Sequence, residues 1–244
     1  MSYALTLGDT SLILAQRLGE WIGHAPALEE DLALANIALD LLGQARYLLS
    51  HAAELRGNST EDDLAYLRDP QDFLNLSLVE QPNGDFGQTI VRQFLVDAWQ
   101  LELFERLQQS SESKLAELAA KAIKETRYHF RFSSGWVVRL GDGTEESHRR
   151  VQTALDALWR FTHEMFVASP AEQEAVALGI GPDPASLAAG WSSRVDEVLQ
   201  EATLKRPADV AYSWHGKRGQ HSEHLSRLLA EMQVMQRTYP GAQW

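Results

Sequence analysis

The chain has no cysteine. That removes disulfides, thiolate nucleophiles and cysteine-ligated metals together. Positive charge is scarce: 22 Lys and Arg stand against 34 Asp and Glu, a formal net charge of −12. Nonspecific binding to nucleic acid rests on neutralising phosphates, and this balance argues against it. The opening residues, MSYALTLGDTSLILAQ, carry neither a basic stretch nor a long apolar run, so no signal peptide is expected. No stretch is read as approaching a membrane span, and the expected compartment is the cytoplasm. A Gly-rich nucleotide motif, a Ser-His-Asp set, low-complexity tracts, internal repeats and linkers are all missing. The 244 residues are therefore expected to form a single domain, 1–244.

What is present is helical periodicity. No segment reads as a strand, and hydrophobic residues make up 44% of the chain, a globular proportion. Seven long helices are predicted. The first runs from about Asp9 to Ile22 and the second from about Ala27 to Leu55, with Leu34, Ile37, Ala38, Leu41, Ala45, Leu48, Ala52 and Leu55 inward. A connector then extends to Gly84, holding a Leu-rich patch at Phe73–Val79 and, in part, a short helix. The third starts near Asp85. The fourth covers Ser113–Leu140, the fifth Glu145–Phe166, the sixth Pro184–Ala202 and the seventh Gln220–Arg237. Long helices joined at Gly or Pro predict an all-α bundle, with two antiparallel pairs at its core and the later helices packed around them.

The informative polar residues sit on apolar faces. On the fourth helix Leu118, Ala122, Thr126, His129, Ser133 and Trp136 recur at steps of three and four, so they share one face. Four-helix carboxylate proteins place a Glu-x-x-His metal pair at such a position. Here Thr126 stands in the glutamate position and His129 in that of the histidine. Glu125 is one residue off, about 100° round the helix. On the third helix Asp97 interrupts the stripe Ile90, Phe94, Leu101, Phe104. A lone carboxylate there would cost several kcal/mol, so Asp97 needs a partner: a metal, a cation or a hydrogen-bond donor. On the second helix the corresponding window offers Leu41, which cannot bind metal, and Gln44, a poor ligand for iron or zinc. Asn36, Asp40 and Gln44 form a polar row read as solvated or at an interface. A di-iron centre needs about four carboxylates and two histidines, and Asp97 with His129 falls short.

Three other features carry weaker signals. His221 and His224 are three apart at a helix start, and an ordinary surface pair outweighs a metal site there. The loop His215-Gly216-Lys217-Arg218-Gly219 enters that helix, and such a loop can receive an anion through backbone N–H groups and the helix dipole. An exposed loop is the alternative. Lys121, Lys124, Arg127 and Arg131 give the fourth helix a basic flank, solvated or facing an acidic partner. Trp214 and Trp244 lie outside the helices and are candidates for an interface.

The runs GEWIGHAP (Gly19–Pro26), DLALANIALDLLGQAR (Asp31–Arg46), VEQPNGDF (Val79–Phe86), KAIKETRYHFRFSSGW (Lys121–Trp136), LWRFT (Leu158–Thr162) and LAEMQ (Leu229–Gln233) resemble the C-type subunits of the bacterial phenylacetyl-CoA monooxygenases, the ring 1,2-epoxidases. The resemblance spans nearly the whole chain. It implies a ferritin-like fold and a non-catalytic structural subunit without a cofactor of its own. It further implies a homologous A subunit that holds the di-iron centre and the CoA thioester, a small B subunit and a flavin and iron–sulfur reductase. The implied reaction is epoxidation of the aromatic ring of phenylacetyl-CoA. The positions of the catalytic relative's ligands fall on Leu41 and Gln44, on Asp97, and on Thr126 and His129, a vestigial site from which no catalytic residue is transferred. Asp97, His129, Gln44 and Thr126 are then expected to close a hydrogen-bond network in place of metal. Two rivals are a metal oxygenase built on Asp97 and His129 with help from Asp40 or Glu125, and a contact of Lys217 and Arg218 with CoA phosphates.

Overall fold

The computed structural model of the protein describes residues 1–210 and 214–242. Among the described residues the α-helices are α1 (Ser2–Gly19), α2 (Leu28–Arg56), α3 (Glu61–Tyr66), α4 (Phe86–Leu107), α5 (Ser113–Gly141), α6 (Glu145–Trp159), α7 (Pro170–Ala177), α8 (Ala188–Glu201), α9 (Glu223–Met232) and α10 (Val234–Thr238). No strand is present among them, and a lone backbone bridge joins His215 to Gln220. The all-α, ferritin-like class holds. The chain divides into two compact units, one of Met1–Pro82 with Trp214–Trp244, the other of Asn83–Ser213.

In the first unit α1 packs along α2. The helix begins seven residues before the predicted Asp9, so Gly8-Asp9-Thr10-Ser11, which read as a helix start, lies inside it. Three local facts make this possible. A Cβ on Gly8 would stand 3.1 Å from Leu49 Cδ2 and 3.2 Å from Leu48 Cβ, so glycine lets the two helices approach closely. Thr6 and Thr10 donate their hydroxyls to the carbonyls four residues back, at 3.1 and 2.8 Å. Asp9, fully buried, meets Arg68. α2 starts on Glu29, Glu30 and Asp31 and ends on Arg56 and a left-handed Gly57, charges and cap that suit the helix dipole. Its predicted inward residues are buried except Leu55, which is 54% exposed.

By length and composition α2 would pass as a membrane span, which corrects the expectation that no stretch approaches one; half of its apolar window is packed inside the protein. The connector contributes α3, held by a reciprocal Thr60–Asp63 cap, and a buried irregular run in which Phe73, Leu76, Leu78 and Val79 are at most 1% exposed. The predicted seventh helix is two. It breaks at Gln233, whose side-chain amide donates to the Ala65 and Arg68 carbonyls at 3.1 Å each. Met235 is exposed beyond that break.

In the second unit α4 is buried on nearly every side and packs against α5, α6 and α8. Such a helix belongs at the centre of its unit. α5 buries Leu118, Ala122, Thr126, His129, Ser133 and Val137 and leaves its opposite side in solvent. The predicted fifth helix ends at Trp159 and continues as a 3₁₀ turn, Thr162–Phe166. Trp159 and Trp191 pack ring to ring at 5.4 Å, as expected of core tryptophans. Trp214 is half-buried, and Trp244 lies outside the described residues.

Candidate functional site

The third-helix carboxylate is where the periodicity placed it. Asp97 is fully buried in α4, and across on α5 Thr126, His129 and Ser133 are fully buried too. The partners differ from the expectation. Gln93, one turn earlier on α4, donates its amide to Asp97 Oδ1 at 2.7 Å, and Ser133 Oγ lies 2.7 Å from Oδ2, within hydrogen-bond distance. The hydroxyl of Thr126 makes no hydrogen bond among the described residues. The predicted closed network of Asp97, His129, Gln44 and Thr126 therefore does not include the Thr126 hydroxyl, and both Asp97 oxygens are engaged by Gln93 and Ser133. Ser133, one turn beyond His129 on the same face, took the role assigned to its neighbours. A small hydroxyl reaches the carboxyl from there without displacing the packing.

Burial pushes the Asp97 carboxyl up to about 8, and the hydrogen bonds from Ser133 and Gln93 only partly offset it. At neutral pH the group is mostly a neutral acid. This accounts for a second contact. Ser133 Oγ also lies 3.3 Å from the Phe130 carbonyl, and one hydroxyl proton cannot serve both acceptors. A protonated Asp97 donates to Ser133, which is then free to donate to Phe130.

Leu41 and Gln44, in the other unit, are buried on α2, at 0% and 2% exposure. Gln44 is thus not part of a solvated row; Asn36 is exposed and Asp40 half-exposed. Glu125 turns to the outer side of α5, 3.6 Å from Lys121, so it offers no help to Asp97. Among the described residues no three His, Cys, Asp or Glu side chains gather as a metal ion requires. The donors at the expected positions are a leucine, a glutamine amide, one carboxyl, a threonine and one imidazole. That set falls short of the four carboxylates and two histidines of a di-iron centre.

The residues that follow the basic glycine loop, His221 and Ser222, meet an anion, and the anion is the chain's own. Glu80 is fully buried. Its carboxylate accepts from the Ser222 backbone N–H at 2.6 Å and from Asn75 Nδ2 at 3.0 Å, and it lies 2.8 Å from His221 Nδ1. His221 Nε2 points to the Phe73 carbonyl at 2.8 Å. Both ring nitrogens are thus engaged, one by the Glu80 carboxyl and one by a backbone carbonyl. No metal position is left on His221. The loop itself is pressed against the irregular run: a Cβ on Gly216 would lie 2.3 Å from the Asn75 carbonyl oxygen. Lys217 is buried and Arg218 exposed, so the two are not presented together to a phosphate.

Sequence reasoning missed Glu80, and it missed Asp9 with Arg68. Arg68 Nη1 donates to Asp9 Oδ2 at 3.0 Å, Nη2 donates to Oδ1, and the Leu74 N–H adds a bond at 2.9 Å. One signal pointed to Glu80. It closes the apolar run Phe73–Val79 as a single acid, as Asp97 does within its stripe.

An all-helical chain with one histidine and one acid on facing core stripes is a ferritin-like protein. The chain belongs to the phenylacetic acid catabolic protein family, whose model matches residues 1–244. Over 243 residues it is 56% identical to the C-type subunit of the 1,2-phenylacetyl-CoA epoxidase of Escherichia coli (strain K12), covering 100% of this chain and 98% of that relative.

Proposed function

We propose that this chain is the non-catalytic, structural subunit of a multicomponent phenylacetyl-CoA epoxidase in the cytoplasm. It pairs with a homologous di-iron subunit and holds that subunit in its working shape, with a small B subunit and a flavin and iron–sulfur reductase completing the system. The likeness to the C-type subunit of an epoxidase supports the assembly. The observation that supports the non-catalytic half is Asp97, a buried carboxyl engaged on both oxygens by Gln93 and Ser133, with a threonine at 126 where a ligand mate would stand. A carboxyl bonded in this way serves as a packing element. It anchors α4 to α5 and so supports the helical surfaces on which a partner rests.

The test is iron content and reconstitution. The purified chain, expressed in iron-replete medium, is expected to hold far less than one iron. Mixed with the di-iron subunit it is expected to raise epoxidation of phenylacetyl-CoA, and H129A should leave that rise intact if the variant folds. Stoichiometric iron lost in H129A would instead make the chain a metal oxygenase built on Asp97 and His129.

A further inference from the structure

α5 turns a face of opposite sign to the rest of the protein toward solvent. The helix carries six Lys and Arg against two Glu, a net +4 in a chain whose net charge is −12. Lys121, Lys124, Tyr128, Arg131, Gly135 and Arg139 follow one another at steps of three and four, so they form one stripe about 27 Å long. It lies opposite the buried face that holds Thr126, His129 and Ser133.

Solvated helix faces usually mix the two signs, and a neutral reading of this one would require carboxylates among the cations. Lys121 has such a neighbour, Glu125 at 3.6 Å. Arg131 lies instead over the Tyr128 ring, 5.8 Å from its centroid, and Arg139 over Trp136 at 5.3 Å. Lys124 and Arg127 extend into solvent. The rings are not core residues: Tyr128 is 38% exposed, and Phe132 and Trp136 are partly so. A Cβ on Gly135 would meet nothing within 4 Å, so the backbone there is open to close approach by another chain. Arginine and aromatic side chains on one surface are the residues that anchor interfaces.

We propose that this stripe is the docking surface for an acidic face of another subunit of the epoxidase. The inference rests on the reading of the chain as a subunit. Charge fixes the kind of occupant. A second copy of this chain would bring its own basic stripe to a two-fold contact, and like charges would face each other. The fitting partner presents Asp and Glu to Lys124, Arg127 and Arg131, and an apolar patch to Tyr128 and Phe132.

The experiment uses the full chain with purified di-iron, B and reductase subunits, each titrated separately at low and at high salt. K124E/R127E/R131E is compared with wild type and with K205E/R227E, a reversal of two exposed cations elsewhere. Circular dichroism and thermal melting first show whether each variant is folded. K124Q/R127Q/R131Q serves as the milder second variant. The triple reversal is expected to weaken association with one subunit by about tenfold or more and to flatten its salt dependence. The glutamine variant falls between, and the control reversal binds as wild type. Unchanged affinity for all three subunits in a folded triple variant overturns the proposal. So does a loss confined to free coenzyme A or to self-association. Wild type that binds none of the subunits overturns the subunit reading first, and the stripe proposal with it.

Discussion

Asp97 and Ser133 meet at 2.7 Å between α4 and α5, both fully buried, and the carboxyl of the pair is neutral at pH 7. The sign of the pH effect follows. Folded Asp97 holds its proton up to about pH 8, whereas the unfolded chain releases it near 3.8. Between those values the folded state binds the extra proton. Stability from this group is complete below the lower value and is lost as pH rises through the upper one, by up to about 1.4 kcal/mol per pH unit. Asp97→Asn removes the titration while keeping an acceptor for Gln93 and a donor for Ser133. The variant is expected to gain on wild type as pH rises from 6 to 9 in urea melts, whereas Asp97→Ala should lose about 1–3 kcal/mol throughout.

Glu80 and His221 tie the residues that follow Trp214 to the irregular run of the first unit. Breaking a buried pair by removing one partner costs about 3–5 kcal/mol. Glu80→Ala should therefore loosen the start of α9, seen as faster amide exchange over Ser222–Leu225. The exchange of α4 should be little changed if the effect stays within the first unit.

The Asp9–Arg68 pair allows a sharper comparison. Arg68→Met leaves a buried carboxylate without its cation and should destabilise by about 3–5 kcal/mol. Asp9→Leu combined with Arg68→Met should cost less than Arg68→Met by itself, because the stranded charge is gone. A double variant as unstable as the single one would show that the loss comes from packing and not from charge.

Two glycines should respond oppositely to the same methyl group. Gly216→Ala drives a Cβ into the Asn75 carbonyl at 2.3 Å and should destabilise the chain by about 1–3 kcal/mol. Gly135→Ala meets nothing within 4 Å, and in a helix it should stabilise the isolated chain by up to about 1 kcal/mol. Thermal melts of the two variants read both.

The helices and the apolar faces were legible because periodicity is a local property of the chain. It placed Asp97, Thr126, His129 and Leu41 in the interior without a structure. The partners were not legible. Asp9 is met by an arginine 59 residues away, and Glu80 by a histidine 141 residues away; spacing along the chain carries no trace of either. Asp9 was further disguised by its neighbours. Gly8, Thr10 and Ser11 are the residues that start helices, and in α1 they serve close packing and back-bonding instead. Ser133 was read on the right face of α5, but its hydroxyl looked too ordinary to single out beside His129.

The first compact unit is assembled from both ends of the chain, Met1–Pro82 and Trp214–Trp244, with Asn83–Ser213 continuous between them. During synthesis the order is forced: the central unit is made before the segment that starts at Trp214 and can fold as the chain grows. Glu80, made early, waits for His221 until that segment emerges. Over that interval the irregular run from Phe73 to Glu80 lacks the residues that bond to it, His221 and Ser222, and that is the stage at which a chaperone would have most to bind.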